Sequence, residues 1–271
     1  MYGEYQDLKV SEANGVIEIM LSRPEHLNAV NVNLHDELRR VFETINRGTD
    51  ARAIIIGGEG RAFSAGGDFE WILRNHRDPV ARMRAGAEGR GLLLALVDCH
   101  LPVIAACHGD AMGVGATIAM TADAVVASRN ARFGDPHVVV GLTAGDGGCA
   151  LWPASAGMLL AKRYLLTGEA IPAEEAWRMA MVTDLVDEPE DVMPRAKTIA
   201  AKMVSLPPFA VQSTKRTLNA ALRARVDEVI ELGVNYEVQS FTSRDVPEAV
   251  AALKERREGR FEGFVTPSDL P

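Results

Sequence analysis

The sequence predicts an α/β protein with one buried core, followed by a helical C-terminal region. Short, continuous apolar runs alternate with helical patterns through the first part of the chain, which is typical of strands buried on both faces. Beyond Leu166 the remaining patterns are all helical. At 271 residues the chain is long enough to bury a sizeable core.

The N-terminal elements are a strand and an amphipathic helix. The run VIEIML (16–21) is rich in β-formers and follows the turn signal Asn14-Gly15, so a strand entered through a tight turn is expected. From residue 33 to residue 46, apolar side chains recur at helical spacing, and Gly48 follows as a stop signal.

Three further strands are predicted from their continuous apolar character. They are ARAIIIGG (51–58), PVIAAC (102–107) and DAVVAS (123–128), with helical patterns between them. Short strands rich in glycine suit a spiral of small ββα turns as well as one wide sheet, and periodicity does not choose between these two arrangements.

The C-terminal part is predicted to be helical throughout. AEEAWRMA, EDVMPRAKTIAAKMV and the long segment that begins PPFAVQSTKR each have helical patterns, and the last has prolines in its first turn. There is no fixed-period repeat and no Gly/Ser linker. We therefore expect two parts, a core over 1–200 and a helical region over 201–271.

Composition excludes several classes of function. A formal net charge of −8 argues against nucleic-acid partners, because phosphate binding needs a basic face. Cys99, Cys107 and Cys149 have no CxxC spacing, so neither a disulfide framework nor a metal site is expected, and a cytoplasmic location fits. The most apolar stretch is interrupted by Asp123, so no membrane partner is expected either.

Two glycine-rich segments each follow a predicted buried strand. AFSAGGDFEW (62–71) and GDAMGVGATIAM (109–120) can point backbone N–H groups at a ligand, and the first turn of a helix adds a positive dipole end. Each segment alone also fits an ordinary strand-to-helix turn. Together they favour a pair of converging donors for an oxyanion.

Several motifs resemble the enoyl-CoA hydratase/isomerase, or crotonase, family. The resemblance covers nearly the whole chain and rests on RPEHLNAVN (23–31), AFSAGGDF (62–69), GDAMGVGA (109–116), the turn FGDP (133–136) and YLLTG (164–168). It implies a spiral of ββα repeats, a helical C-terminal region that forms trimers or dimers of trimers, and a CoA thioester as substrate, with no other cofactor.

The resemblance also implies roles for individual residues. The backbone N–H groups of Ala65 and Val114 correspond to the donors that hold the thioester oxygen. The remaining positions correspond to contacts with CoA or its acyl group, and they are His26, Ala62, Ser64, Gly66, Asp68, Trp71 and Thr117.

Two positions depart from the hydratase pattern. Where those enzymes carry glutamates, this chain has Thr117 and His137, so the addition of water by paired glutamates does not carry over. An unperturbed histidine titrates near neutral pH, and Asp146 is the carboxylate expected to fix the tautomer of His137 and strengthen it as a base. The His/Asp segment resembles that of 6-oxocamphor hydrolase, a family relative that cleaves a carbon–carbon bond of a β-diketone.

Three functions remain open. The chain is expected to be an acyl-CoA enzyme that uses His137 and Asp146 as a non-standard acid–base pair. The same pair could instead direct water at a ketone and cleave a β-diketone or β-keto acyl-CoA. The third alternative is a family member that binds acyl-CoA without catalysis. The acyl group, its chain length and the stereochemistry are not encoded in any recognisable motif.

Overall fold

The computed structural model describes residue 2 and residues 4–263. A six-stranded sheet runs through the described residues in the order β1-β2-β3-β4-β6-β9, and a small sheet has the order β5-β7-β8. The strands are β1 (Leu8–Ala13), β2 (Val16–Leu21), β3 (Ala53–Gly58), β4 (Val103–Cys107), β5 (Ala111–Met112), β6 (Ala124–Ser128), β7 (Arg132–Gly134), β8 (Ile171–Pro172) and β9 (Asp184–Val186).

Ten α-helices accompany the two sheets in the described part of the chain. They are α1 (Val32–Arg47), α2 (Phe69–Arg77), α3 (Pro79–Val97), α4 (Val114–Thr121), α5 (Gly148–Ala156), α6 (Met158–Thr167), α7 (Ala173–Arg178), α8 (Pro189–Val204), α9 (Pro208–Ser240) and α10 (Asp245–Glu255). Short 3-10 turns lie at Pro24–His26 and His137–Val140.

The main sheet is antiparallel only at its first edge. β1 pairs with β2 in antiparallel register, whereas β2, β3, β4, β6 and β9 pair in parallel, as their buried apolar character predicts. One face of the sheet carries α8, which packs on a small cluster that includes Ile55 and Ile104. The opposite face packs on α1 and α3 through the main core. The parallel edges place the glycine-rich loops that follow β3 and β4 beside each other.

The C-terminal part differs from the sequence prediction in two respects. Two short strands, β8 and β9, interrupt the segment beyond Leu166 that was predicted to be helical throughout. Each gains its hydrogen bonds from a distant strand, which local periodicity does not report. The boundary predicted at residue 200 lies inside α8, a helix that packs on the main sheet.

Within the described residues, none of the helices combines the length and the apolarity that crossing a bilayer requires.

Candidate active site

A mostly apolar cavity of about 170 Å³ lies where the two glycine loops, the 3-10 turn at His137–Val140 and the end of α9 meet. The polar side chains on its wall belong to His137, Asp146 and Glu237. The apolar side chains on its wall are Phe69, Trp71, Ile72, Val139, Val140, Leu142, Phe241 and Leu253. A few ionisable groups in an apolar pocket are the usual composition of a small-molecule site.

The two glycine loops converge as the sequence predicted. Ser64 forms an isolated parallel bridge with Ala111, and both Ala65 and Val114 line the cavity. Gly113 lies at the meeting point: a Cβ atom there would be 4.0 Å from both Gly67 N and His137 Cε1. Its φ of +52° is a conformation that glycine adopts without penalty.

The two predicted oxyanion donors differ in availability. Val114 is the first residue of α4, so its N–H group has no acceptor within the helix and lies at the positive end of the dipole. The Ala65 N–H donates to the Leu27 carbonyl at 2.9 Å. Ala65 is therefore not the free donor that was expected, because the left-handed turn at Leu27 and Asn28 brings this carbonyl to the loop.

His137 lies between two carboxylates. Its Nδ1 forms a hydrogen bond with Asp135 Oδ1, and its Nε2 lies 3.6 Å from Asp146 Oδ1. Asp146 was expected to fix the tautomer of the imidazole. In the structure Asp135 contacts Nδ1, and Asp146 faces the ring nitrogen on the other side.

Glu237, which α9 brings to the same site, was not predicted from the sequence. The backbone of α9 at Gly233 contacts the backbone at Gly145. A Cβ on Gly145 would lie 2.2 Å from the Gly233 carbonyl oxygen, so only glycine at position 145 allows α9 to come this close. Glu237 follows Gly233 by one helical turn and lies on the same helix face. The residue that follows Gly145 is Asp146, so this contact places the two carboxyl groups together.

Burial dominates the electrostatics of the cluster. Burial alone lowers the pKa of His137, but the carboxylates of Asp135, Asp146 and Glu237 together hold it well above its ordinary value. Burial also raises the pKa of Asp146, and it raises the pKa of Glu237 well above the usual glutamate range. At neutral pH the imidazole therefore keeps its proton, and the two carboxyl groups compete for another.

One imidazole and two carboxyl groups are also a possible ligand set for a cation. One atom from each of His137, Asp146 and Glu237 lies within 4.8 Å of the others. The expectation of no metal site stays a prediction from the sequence. Asp146 Oδ1 and Glu237 Oε2 are both buried without a hydrogen-bond partner. The carboxyl groups can satisfy this need either by holding a proton or by binding a cation.

Comparison with known proteins identifies the family. The family model described as enoyl-CoA hydratase/isomerase matches residues 11–264. The short-chain-enoyl-CoA hydratase of Clostridium acetobutylicum is 33% identical over 262 residues, which are 96% of this chain and 98% of that protein. The chain belongs to the enoyl-CoA hydratase/isomerase family.

Solved structures agree with this assignment. An enoyl-CoA hydratase/isomerase from Mycobacterium paratuberculosis is 38% identical, with a TM-score of 0.87 over 90% of this chain and 97% of that one. The predicted crotonase-type α/β fold is thereby confirmed. A β-diketone hydrolase from the cyanobacterium Anabaena, bound to (S)-3-oxocyclohexyl acetic acid, is 29% identical, with a TM-score of 0.80 over 88% of this chain and 95% of that one.

The predicted binding residues of this family member divide between cavity and scaffold. Trp71 lines the cavity and packs against His35 with the two rings tilted, their centroids 5.4 Å apart. Ser64 is fully buried and donates its hydroxyl hydrogen to the Asn28 carbonyl, and the Ala62 carbonyl accepts a hydrogen bond from the Asn28 side chain. Ser64 and Ala62 thus support the first glycine loop.

The other predicted binding residues lie outside the cavity wall. The carboxylate of Asp68 caps α2 and lies 3.5 Å from Arg23, and Gly66 takes a φ of +88° in the loop. The His26 side chain is 57% exposed beside Glu25. Thr117 is buried with no partner for its hydroxyl, and it packs closely on Gly147.

Asp135 could have been predicted from the sequence as part of the site, whereas Glu237 could not. Asp135 precedes His137 by two residues in FGDPH and is the nearest acid along the chain, so a local reading could have found it. Glu237 is 100 residues from His137 in a helix with many exposed charges, and only tertiary packing distinguishes it from them.

Proposed function

We propose that this protein is an acyl-CoA enzyme in which His137 and Asp146 carry out the proton transfers that paired glutamates perform in the family's hydratases. The observation that carries the proposal is the buried imidazole with Nε2 3.6 Å from Asp146, on the wall of a cavity that also receives the first turn of α4.

The Val114 N–H is the principal donor to the thioester oxygen in this proposal. It lies at the positive end of α4, where a developing negative charge is stabilised. A thioester oxygen that reached Ala65 would share its N–H with the Leu27 carbonyl in a three-centre hydrogen bond. The negative charge of an enolate-like intermediate would therefore be stabilised mainly by one backbone donor and by the nearby imidazolium.

The proton-transfer unit is the pair of residues rather than either one alone. Because the pKa of His137 is raised by its carboxylates, the imidazolium is the proton donor at neutral pH. The Asp146 carboxylate, whose pKa is raised by burial, is the member of the pair that can accept a proton while the imidazole is protonated. Glu237 completes the unit as a neutral acid that can return a proton.

A second candidate function is hydrolysis of a carbon–carbon bond in a β-diketone or β-keto acyl-CoA. The occupied Ala65 donor favours it, because a single free backbone donor is a weaker oxyanion site than a pair. The similarity to the Anabaena β-diketone hydrolase adds support. In this reaction water adds to one carbonyl carbon, the adjacent carbon–carbon bond breaks, and the released enolate takes up a proton.

Mass spectrometry on a substrate panel tests these proposals. Enoyl-CoA thioesters, open-chain β-diketones and β-keto acyl-CoAs would be incubated with the enzyme, with and without EDTA. Water gained without cleavage supports hydration, and two fragments support hydrolysis of the carbon–carbon bond. Thioester binding without any mass change selects the non-catalytic alternative. Activity abolished by EDTA would show that the His137 cluster holds a cation and would contradict the proton-transfer scheme.

Calorimetry tests the CoA part of the proposal separately. The intact AFSAGGDF loop motivates the expectation that an acyl-CoA binds more tightly than the matching free acid. Equal affinity for the two would contradict a CoA thioester substrate and would favour the β-diketone.

A further inference from the structure

Asp135 is the most deeply buried carboxylate that contacts His137. The residue is 1% exposed, whereas Asp146 lies on the cavity wall. Asp135 Oδ1 accepts the backbone N–H of His137 at 3.4 Å and contacts Nδ1 of the same residue. One carboxylate oxygen therefore holds both the backbone of the turn and the orientation of the His137 ring.

The fold leaves a slot for this carboxylate. A Cβ on Gly148 would lie 2.1 Å from Asp135 Oδ2, which is too close for any side chain at this position. Gly148 is also the first residue of the nine-residue helix α5, so the carboxylate lies beside the positive end of a helix. These features compensate in part for the burial of a charge far from water.

We propose that Asp135 is a positioning residue, which holds His137 with its proton on Nδ1 so that Nε2 faces Asp146 and the cavity. This inference rests on the proposed function, in which His137 exchanges protons with the substrate. It assigns to Asp135 the part that was predicted for Asp146. Asp146 is then left free to exchange protons through Nε2.

The groups that face His137 come from two loops and two helices. Asp135 follows β7, Asp146 precedes α5, Glu237 belongs to α9, and the thiol of Cys149 lies in the first turn of α5. Among them Asp135 alone contacts Nδ1. Loss of its charge should therefore change the tautomer, which the other two carboxyl groups do not control.

Asp135→Asn tests the proposal by ¹⁵N NMR of the His137 ring. The amide can donate to Nδ1, so above the pKa of His137 the variant should carry its proton on Nε2, whereas the wild type carries it on Nδ1. The pKa of His137 should fall by about 1 unit or more. With substrate, kcat should fall about 10²- to 10⁴-fold while KM changes much less.

Gly148→Ala is the second variant. It keeps the carboxylate but displaces it from the ring, because the new methyl group would occupy the position of Oδ2. It should reproduce the shift in the pKa of His137 and the loss in kcat. The control is Asp187→Asn, which removes an exposed carboxylate paired with Arg129 and should change neither quantity.

The NMR titration needs no substrate, so it separates this inference from the proposed function. An unchanged tautomer and pKa of His137 in folded Asp135→Asn would overturn the positioning role. If Asp135→Asn does not fold, an unchanged titration in Gly148→Ala would overturn it equally. A changed tautomer with undiminished catalysis would support the positioning of His137 and contradict its part in the reaction.

Discussion

His137 shows how a single side chain acquires its chemistry from the residues around it. A buried histidine normally loses its proton, as His35 does, because burial lowers the pKa of His35 to about 4. His137 is similarly buried, yet its pKa is raised by the carboxylates of Asp135 and Asp146. The pKa values of the two histidines differ because acids contact the His137 ring, and not because the two residues differ in burial.

The first prediction concerns the proton-transfer pair. Asp146→Asn should leave folding and ligand binding nearly intact while it slows the chemical step, since an amide cannot stabilise an imidazolium or accept its proton. His137→Ala should be at least as damaging, with a loss of about 10²- to 10⁴-fold in kcat. If the two act as one unit, the double variant should be little worse than the worse single variant, measured by steady-state kinetics.

Thr117→Ala provides the contrasting result. Its hydroxyl has no partner and the residue is absent from the cavity wall, so the variant should keep activity within a few-fold. Activity that survived His137→Ala but not Thr117→Ala would put the proton chemistry on the other side of the pocket and contradict the proposed function.

The second prediction concerns His35 and acid stability. The unfolded chain binds a proton at His35 near pH 6.5, whereas the folded protein binds it only near pH 4. The free energy of unfolding therefore decreases by at most about 3 kcal/mol as the pH falls from above 6.5 toward 4. His35→Phe keeps an aromatic ring against Trp71 and should remove this loss.

Urea unfolding of the wild type and His35→Phe at pH 7 and pH 4.5 measures the difference between the two chains. The comparison cancels the effect of the acids near His137, which titrate in both proteins. Equal changes in the free energy of unfolding for both proteins would show that His35 does not control this pH dependence.

At the scale of elements, the close contact between α9 and the segment before α5 joins the C-terminal helices to the site. Gly145 and Gly233 touch backbone to backbone, and a Cβ on Gly233 would lie 2.9 Å from the Gly145 carbonyl oxygen. This contact allows Glu237 and Phe241 to form part of the cavity wall. The C-terminal region is thus part of the candidate site.

The third prediction follows from this contact. Gly233→Ala should move α9 away from Asp146, lower the free energy of unfolding by about 1–3 kcal/mol and reduce kcat. The matched control is Gly91→Ala in α3, whose Cβ would meet only the flexible side chain of Arg39, at 3.1 Å. That change should preserve kcat and can add up to about 1 kcal/mol through helix propensity. Equal effects of the two substitutions would contradict the role of the close contact.

The sequence predicted the elements that depend on local patterns, and it missed those that depend on distant partners. The apolar runs at 51–58, 102–107 and 123–128 contain β3, β4 and β6, because strands buried on both faces have a continuous apolar character. β8 and β9 are two and three residues long, so no period could be detected. The loops with Ala65 and Val114 were found from their glycines, whereas Glu237 depends on how α9 packs.

At the scale of the whole molecule, several apolar side chains remain in contact with solvent in the single chain. In α9, Val226 is fully buried, but Leu218 is 68% exposed and Leu232 is 60% exposed. Leu159 of α6 is 83% exposed. Exposed apolar side chains that lie together on a surface are typical of an interaction site.

The last prediction is that the protein forms a trimer or a dimer of trimers. We propose this assembly because Leu218 and Leu232 lie fourteen residues apart, four helical turns, on the same face of α9, where a second copy can cover both. Light scattering at micromolar concentration should give three or six times the mass of the 29.2 kDa chain. Replacing both leucines with glutamate should reduce that mass, because unpaired charges at an apolar contact cost several kcal/mol. A wild-type monomer at that concentration would contradict the proposal, and an unchanged mass in the double variant would place the assembly surface elsewhere on the molecule.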